Sequence, residues 1–134
     1  MSEFISETLT IETELDLIKA RRLMRNLSKK MGFNVVNQTK IITAVSELTR
    51  NVLHYARRGK LTVDNISYQN KMGLRISIKD NGPGIADIEK VLKGGYSTRG
   101  GLGKGLSGTR QLMDEFEIIS DLGKGTEVNI IKWT

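Results

Sequence analysis

The sequence has no cysteine, and only one proline and one histidine among 134 residues. Without thiols there can be neither a disulfide framework nor a thiolate metal site. His54, standing alone, excludes any centre built from several imidazoles. Aromatic residues are scarce, at 5%. None interleaves the basic residues as a stacking platform for single-stranded nucleic acid would, so nucleic acid is not an expected ligand. No run approaches the roughly 18–20 apolar residues that a membrane helix requires. The first ten residues already include acids and show no charged-then-apolar leader. The expectation is a cytoplasmic protein that does not engage a membrane.

What is present suits one domain spanning 1–134, with 38% hydrophobic residues to form one modest core. The formal charge is +6, from 21 basic and 15 acidic residues. Part of the excess is local: Lys19, Arg21, Arg22, Arg25, Lys29 and Lys30 share one stretch with no acid among them. Such a balance fits nucleic acid, anionic lipid or an acidic protein. A solvated helix face is the commoner cause, and charge alone does not choose.

Residues 4–11 alternate weakly and read as a strand. Thr13 followed by Asp16 resembles a capping box, and Ala20, Met24, Leu27 and Met31 form one helical face that Gly32 ends. A second helix is expected over 35–56, with Ile41, Val45, Leu48 and Val52 as its core stripe. Beside that stripe, Glu47 and Asn51 stand at i and i+4, with His54 at i+7. Strands follow at 61–69 and 74–79, then a short helix at 87–92 and a glycine-rich stretch at 94–105 that reads as a mobile loop. A helix over 106–116 and strands at 117–120 and 126–133 complete the chain. Tight turns join the strands, so the predicted fold is an α/β two-layer sandwich: a mixed, mostly antiparallel sheet with helices on one face.

Three segments carry chemistry, each weakly specific alone. Glu47 and Asn51 point the same way from a helix. The amide oxygen can hold a hard cation such as Mg²⁺, which keeps waters and shares phosphate oxygens, while the carboxylate orients or deprotonates a hydroxyl. Left to itself, such a pair is more often surface decoration. Asp80-Asn81-Gly82-Pro83-Gly84 ends a strand in an acid able to accept from an exocyclic amine, though the same residues make an ordinary turn. Gly101-Leu102-Gly103-Lys104-Gly105-Leu106 opens a helix, where unobstructed N–H groups suit phosphate. It is neither a Walker A loop nor a dinucleotide fingerprint.

Order and spacing sharpen the reading. Glu-x-x-x-Asn on a helix, strand-Asp-x-Gly-x-Gly, Gly-x-Gly-x-Gly at a helix start, and Gly123-Lys124-Gly125-Thr126 before a last strand form a specific set. The set resembles the GHKL superfamily of gyrase, Hsp90, histidine kinases and MutL, with its Bergerat ATP-binding fold. The likeness covers about 41–133. Coupling domains do not fit in 134 residues, nor does a dimerising hairpin with a phosphoacceptor histidine. The chain is therefore most similar to the small bacterial serine/threonine kinases that include anti-sigma factors. Ser46-Glu47-Leu48-Thr49-Arg50-Asn51, Leu112-Met113-Asp114-Glu115-Phe116 and Ile131-Lys132-Trp133 add to that resemblance.

The resemblance implies ATP and Mg²⁺ as cofactors. It makes Glu47 the general base and Asn51 the Mg²⁺ ligand. Asp80 would bind the adenine amine, with Gly82, Gly84 and Ile85 alongside and Thr126 beneath the base. Gly101, Leu102, Gly103, Lys104, Gly105 and Leu106 would surround the phosphates. Lys104 replaces an apolar residue of many relatives, Arg99 falls in the lid, and His54 is given no catalytic role. The implied function is transfer of phosphate to a STAS-domain partner, with a PP2C-type phosphatase as a second, alternative partner in a stress-response pathway. Two other readings stand beside it: an anti-sigma factor that binds a sigma factor directly, and a non-enzymatic nucleotide sensor.

Overall fold

The computed structural model describes residues 4–92 and 102–134. Alternation builds the sheet. Strand β1 is Ser6–Ile11, β2 Gly59–Tyr68, β3 Lys71–Asp80, β4 Glu115–Asp121 and β5 Gly125–Trp133. Their spatial order is β1-β2-β3-β5-β4, and every neighbouring pair is antiparallel. Leu61, Val63, Leu74, Ile76, Ile78, Val128 and Ile130 emerge on one face and are buried. Thr62, Ser77 and Asn129 emerge on the other.

Helices cover the apolar face. Helix α1, Glu14–Lys30, starts where Asp16 accepts from the backbone N–H groups of Glu12 and Thr13 at 2.9 and 3.0 Å. Those bonds, the Glu12 one first, hold the Asp16 carboxyl below its ordinary range. The helix ends before Gly32, whose positive φ lets the chain reverse. Ala20, Met24 and Leu27 are buried, as the helical spacing requires. Helix α2, Val35–Asn51, is capped by Asn34, which accepts from the Asn37 N–H at 2.7 Å. It buries Ile41, Val45 and Leu48, each contributing about 1.5–3 kcal/mol by leaving water. α1 is tied to α2 by Arg21, which donates to the buried hydroxyl of Ser46 at 3.1 Å.

The strands β2, β3 and β4 begin two or three residues earlier than expected, and two helix boundaries differ by more. The second helix does not run on as an α-helix to residue 56. At Val52–Ala56 it widens into one π-helical turn, closed by the Arg57 N–H on the Val52 carbonyl at 2.7 Å. Short helix α3 is Ile88–Leu92, and α4 is Leu102–Leu112, about one turn earlier than the expected 106–116. The residues assigned to its end instead open β4, because Glu115 and Phe116 pair with Ile131 and Ile130. Asp114 fixes the junction. Its carboxylate accepts from the buried Lys132 ammonium at 3.2 Å and from the Trp133 N–H at 2.7 Å. Among the described residues, no helix is long and apolar enough to cross a membrane.

Candidate functional site

A cavity of about 370 Å³ opens between the inner sheet face and the helices, where β3 and β5 reach the ends of α2 and α4. Asn51, Tyr55, Asp80, Ile85, Leu106 and Thr126 line it. Each arrives from a different local cause. Asn51 is the last residue of α2, and the π-helical turn carries Tyr55 to the cavity wall. Such turns often mark functional sites.

Asp80 ends β3, opposite Thr126 on β5. Its Oδ1 accepts from the Gly82 N–H at 2.8 Å and the Thr126 N–H at 3.3 Å. Oδ2 has no hydrogen bond among the described residues. Burial raises the carboxyl above its ordinary range, against the opposing pull of those two N–H groups. The result is a half-buried acceptor, fixed in direction, on an otherwise apolar wall. That is a site for an N–H donor.

The β4–β5 hairpin clasps the loop after Asp80. The Gly123 N–H donates to the Pro83 carbonyl at 2.8 Å, and the Ile85 N–H donates to the Ser120 hydroxyl at 2.8 Å. Ser120 gives its own proton to the Gly125 carbonyl at 2.9 Å, so Thr126 is the donor in their 2.9 Å hydroxyl contact. A Cβ at Gly84 would fall 2.0 Å from the Asp121 carbonyl oxygen, and one at Gly125 would fall 2.0 Å from that of Asp80. A Cβ at Gly82 would meet Ala56 at 2.6 Å. These glycines thus bring the chain close to itself.

Of the candidate residues, Asn51, Asp80, Gly84, Ile85, Leu106 and Thr126 converge on the cavity. Gly82 supports Asp80 from outside the lining. Glu47 lies one helical turn before Asn51, also outside the lining, and its carboxylate is held by Arg50 at 2.6 Å. Leu102, Gly103, Lys104 and Gly105 belong to the start of α4, while Gly101 and Arg99 lie outside the described residues. Tyr55 and Ser120 were not singled out by the sequence. A π-helical turn has no periodic signature, and a serine at a strand end is commonplace until its partners are known.

A divalent cation can be tested against this donor set. Among the described residues no group of three or more His, Asp or Glu side chains could hold a metal. The Asn51 Nδ2, by contrast, is buried with no hydrogen-bond partner among the described residues. The amide offers an oxygen to a cation or a nitrogen to a phosphate oxygen, depending on its orientation. One neutral oxygen ligand suits Mg²⁺ that arrives with nucleotide phosphates and waters. The residues fit that group.

The sequence profile of the histidine kinase-, DNA gyrase B- and HSP90-like ATPases matches residues 36–133. The serine/threonine-protein kinase RsbT of Bacillus subtilis is 50% identical over 123 residues, covering 92% of each chain. An anti-sigma F factor of Caldanaerobacter subterraneus is 31% identical over 85% of this chain and 82% of its own. The solved RsbU and RsbW domains of a Mycobacterium tuberculosis protein superpose with a TM-score of 0.67 at 17% identity, covering 98% of this chain and 32% of that one. That likeness carries the fold alone. The chain belongs to the histidine kinase-, DNA gyrase B- and HSP90-like ATPases, and within them to the RsbT-like serine/threonine kinases.

Proposed function

We propose that this kinase transfers the γ-phosphate of ATP to a serine or threonine of a STAS-domain protein. Released from that substrate, it binds and activates a PP2C-type phosphatase, and so acts as a partner switch in a sigma-factor stress pathway. The observation that carries the nucleotide reading is the Asp80 carboxylate, aimed by Gly82 and Thr126 and left with one oxygen to accept from the adenine amine. Ile85 and Leu106 supply apolar contact to the base, and Thr126 stands beside it. Asn51 would hold Mg²⁺, which would supply positive charge to offset that of the phosphates. The first turn of α4, which includes Gly103 and Gly105, would present N–H groups to the phosphates.

Glu47 takes the proton of the acceptor hydroxyl. Its place outside the cavity, on the same side of α2 as Asn51, suits a group that meets the protein substrate rather than the nucleotide. The likeness to an anti-sigma F factor supports a second reading, direct binding of a sigma factor. The 50% identity to RsbT favours the first.

The test is a titration with Mg-ATP beside Asp80→Asn, then incubation with radiolabelled ATP and STAS-domain proteins of the same genome. Saturable binding that the substitution weakens, followed by label on a STAS protein, supports the proposal. Binding without label, together with capture of a sigma factor, would favour the second reading. No binding at millimolar nucleotide would remove both kinase and nucleotide-sensor readings.

A further inference from the structure

The sheet face away from the helices carries a charge arrangement that the nucleotide cavity does not explain. Because Leu61, Val63, Ile76 and Ile78 turn inward, Lys60, Thr62, Ser77 and Lys79 turn outward. The antiparallel register then sets Lys60 directly opposite Lys79, Thr62 opposite Ser77, and Thr10 of β1 opposite Lys60. With Arg58 and Asn81 they line a groove of about 560 Å³.

Like charges directly opposite one another destabilise a sheet. The same two strands avoid that elsewhere: Asp64 sits opposite Arg75 and accepts from it through both carboxylate oxygens. Lysines on edge strands guard against aggregation, but β2 and β3 are interior strands. Neither Lys60 nor Lys79 has an ion pair or hydrogen bond among the described residues. Two of the acids nearby have other partners. Glu127, opposite Lys79 on β5, accepts from the Asn129 amide at 3.0 Å, and Glu12 is paired with Arg58 at 3.2 Å. Glu127 across from Lys79 and Asp80 at the groove wall offset part of this charge, but neither forms an ion pair with Lys60 or Lys79, so both ammonium groups stay open to an acidic partner.

We propose that this groove docks an extended acidic segment of a protein partner. Its carboxylates would meet Lys60 and Lys79, and its backbone would meet the hydroxyls of Thr10, Thr62 and Ser77. The lining has no aromatic residue to stack a base and no apolar side chain larger than Ala56 to enter a bilayer. The hydroxyl row suits a peptide backbone. This surface is distinct from the basic row of α1, and the inference does not depend on the nucleotide reading.

The test uses the full chain, isotope-labelled and titrated with an oligoglutamate peptide at low salt. The expected amide shifts fall on Thr10, Lys60, Thr62, Ser77 and Lys79, and they fade as salt rises. Affinity should drop about tenfold or more in Lys60→Glu/Lys79→Glu and by less in Lys60→Gln/Lys79→Gln. Shifts confined to Lys19, Arg22, Arg25 and Lys29 would overturn the proposal, as would equal affinity in the double variant. Tighter seating of an oligothymidylate or of phosphatidylserine vesicles in the groove would overturn the choice of occupant. Thermal melting of Lys60→Glu alone is a second check. It places an acid opposite Lys79 and should raise Tm; an unchanged or lower Tm contradicts uncompensated repulsion. Mg-ATP affinity, measured in parallel, should not change in any of these variants, which keeps failure here separate from failure of the nucleotide site.

Discussion

The Thr126 N–H donates to the Asp80 carboxylate across 46 positions of sequence, and with the Gly82 N–H it fixes the direction of that carboxylate. Both donors go to Oδ1, so the bonds that orient the group leave its other oxygen for a ligand. Asparagine at this position can keep both bonds through its own Oδ1. It then presents an amide nitrogen where the wild type presents an acceptor, and two donors face each other when adenine enters. Asp80→Asn is therefore expected to fold and to lose about tenfold to a hundredfold in ATP affinity, the cost of an unmade buried hydrogen bond. Calorimetric titration checks this, and an affinity within twofold of wild type would count against the assigned role.

The same substitution has an effect on stability of opposite sign. Burial raises the Asp80 carboxyl in the folded state, so the fold holds that proton more readily than the unfolded chain does. The stabilising contribution is fully present below the unfolded carboxylate range and is lost as pH rises through the raised folded value. At neutral pH the wild type therefore carries the cost of a desolvated charge that Asp80→Asn lacks. The variant should melt above wild type near neutrality, with the gap closing as the solution is acidified. A constant gap across that window would mean that burial of the charge is not its source.

Much of this architecture was legible from local pattern. The apolar stripes of α1 and α2 and the alternation in β3 survive in the structure because burial enforces them, and the exposed capping box at Thr13 survives because its hydrogen bonds are local. Asp80 and Asn51 were singled out by the resemblance to the GHKL ATPases, since periodicity alone left one as a turn residue and the other as a surface residue. What could not be read was what depends on distant partners. The clasp of Ser120 on Ile85 joins residues 35 apart. The π-helical turn after Asn51 follows from packing, not from propensity. The boundary between α4 and β4 shifted because Glu115 and Phe116 pair with β5, a long-range gain that overrides a locally helical pattern.

The two glycines Gly84 and Gly108 should respond oppositely to alanine. Gly84 has φ near +77°, and an added Cβ would collide with the Asp121 carbonyl. Gly84→Ala is expected to cost about 2 kcal/mol or more, from left-handed strain plus displacement of the hairpin. Gly108 lies inside α4 with nothing within 4 Å of an added Cβ. Gly108→Ala should stabilise by about 0.5–1 kcal/mol through helix propensity. Urea unfolding of both variants decides the matter, and a common sign would mean that the hairpin is not held against the Gly84 loop.

Asp114 joins the two terminal motifs that stood apart in the sequence. It accepts from Lys132, whose side chain is 7% exposed, and from the Trp133 backbone. Removing it leaves a buried ammonium with the Leu112 carbonyl as its one partner among the described residues. Asp114→Ala should therefore cost about 1–3 kcal/mol, because the carboxylate is partly exposed. Asp114→Ala/Lys132→Met, which removes both charges, should recover much of that loss. Failure of the double variant to recover stability would show that the Trp133 bond, not the ion pair, carries the effect.

Glu47 and Asn51 share a helix side, but only Asn51 reaches the cavity, and the proposed roles divide accordingly. A group that meets the acceptor hydroxyl and not the nucleotide should affect turnover without affecting binding. Glu47→Gln keeps the shape and removes the base. It is expected to leave Mg-ATP affinity within about twofold of wild type and to lower phosphoryl transfer by about 10²–10⁴-fold. Asn51→Ala should do the reverse first, weakening the Mg²⁺-dependent part of ATP binding, while folding stability changes little because its buried nitrogen has no partner to lose. Arg50 supplies the control: it holds Glu47 at 2.6 Å from an exposed position. Arg50→Lys should preserve more activity than Arg50→Ala if that contact orients the base. Equal activity in the two variants would assign Arg50 to the surface alone, and loss of nucleotide affinity in Glu47→Gln would move Glu47 into the cavity's own machinery.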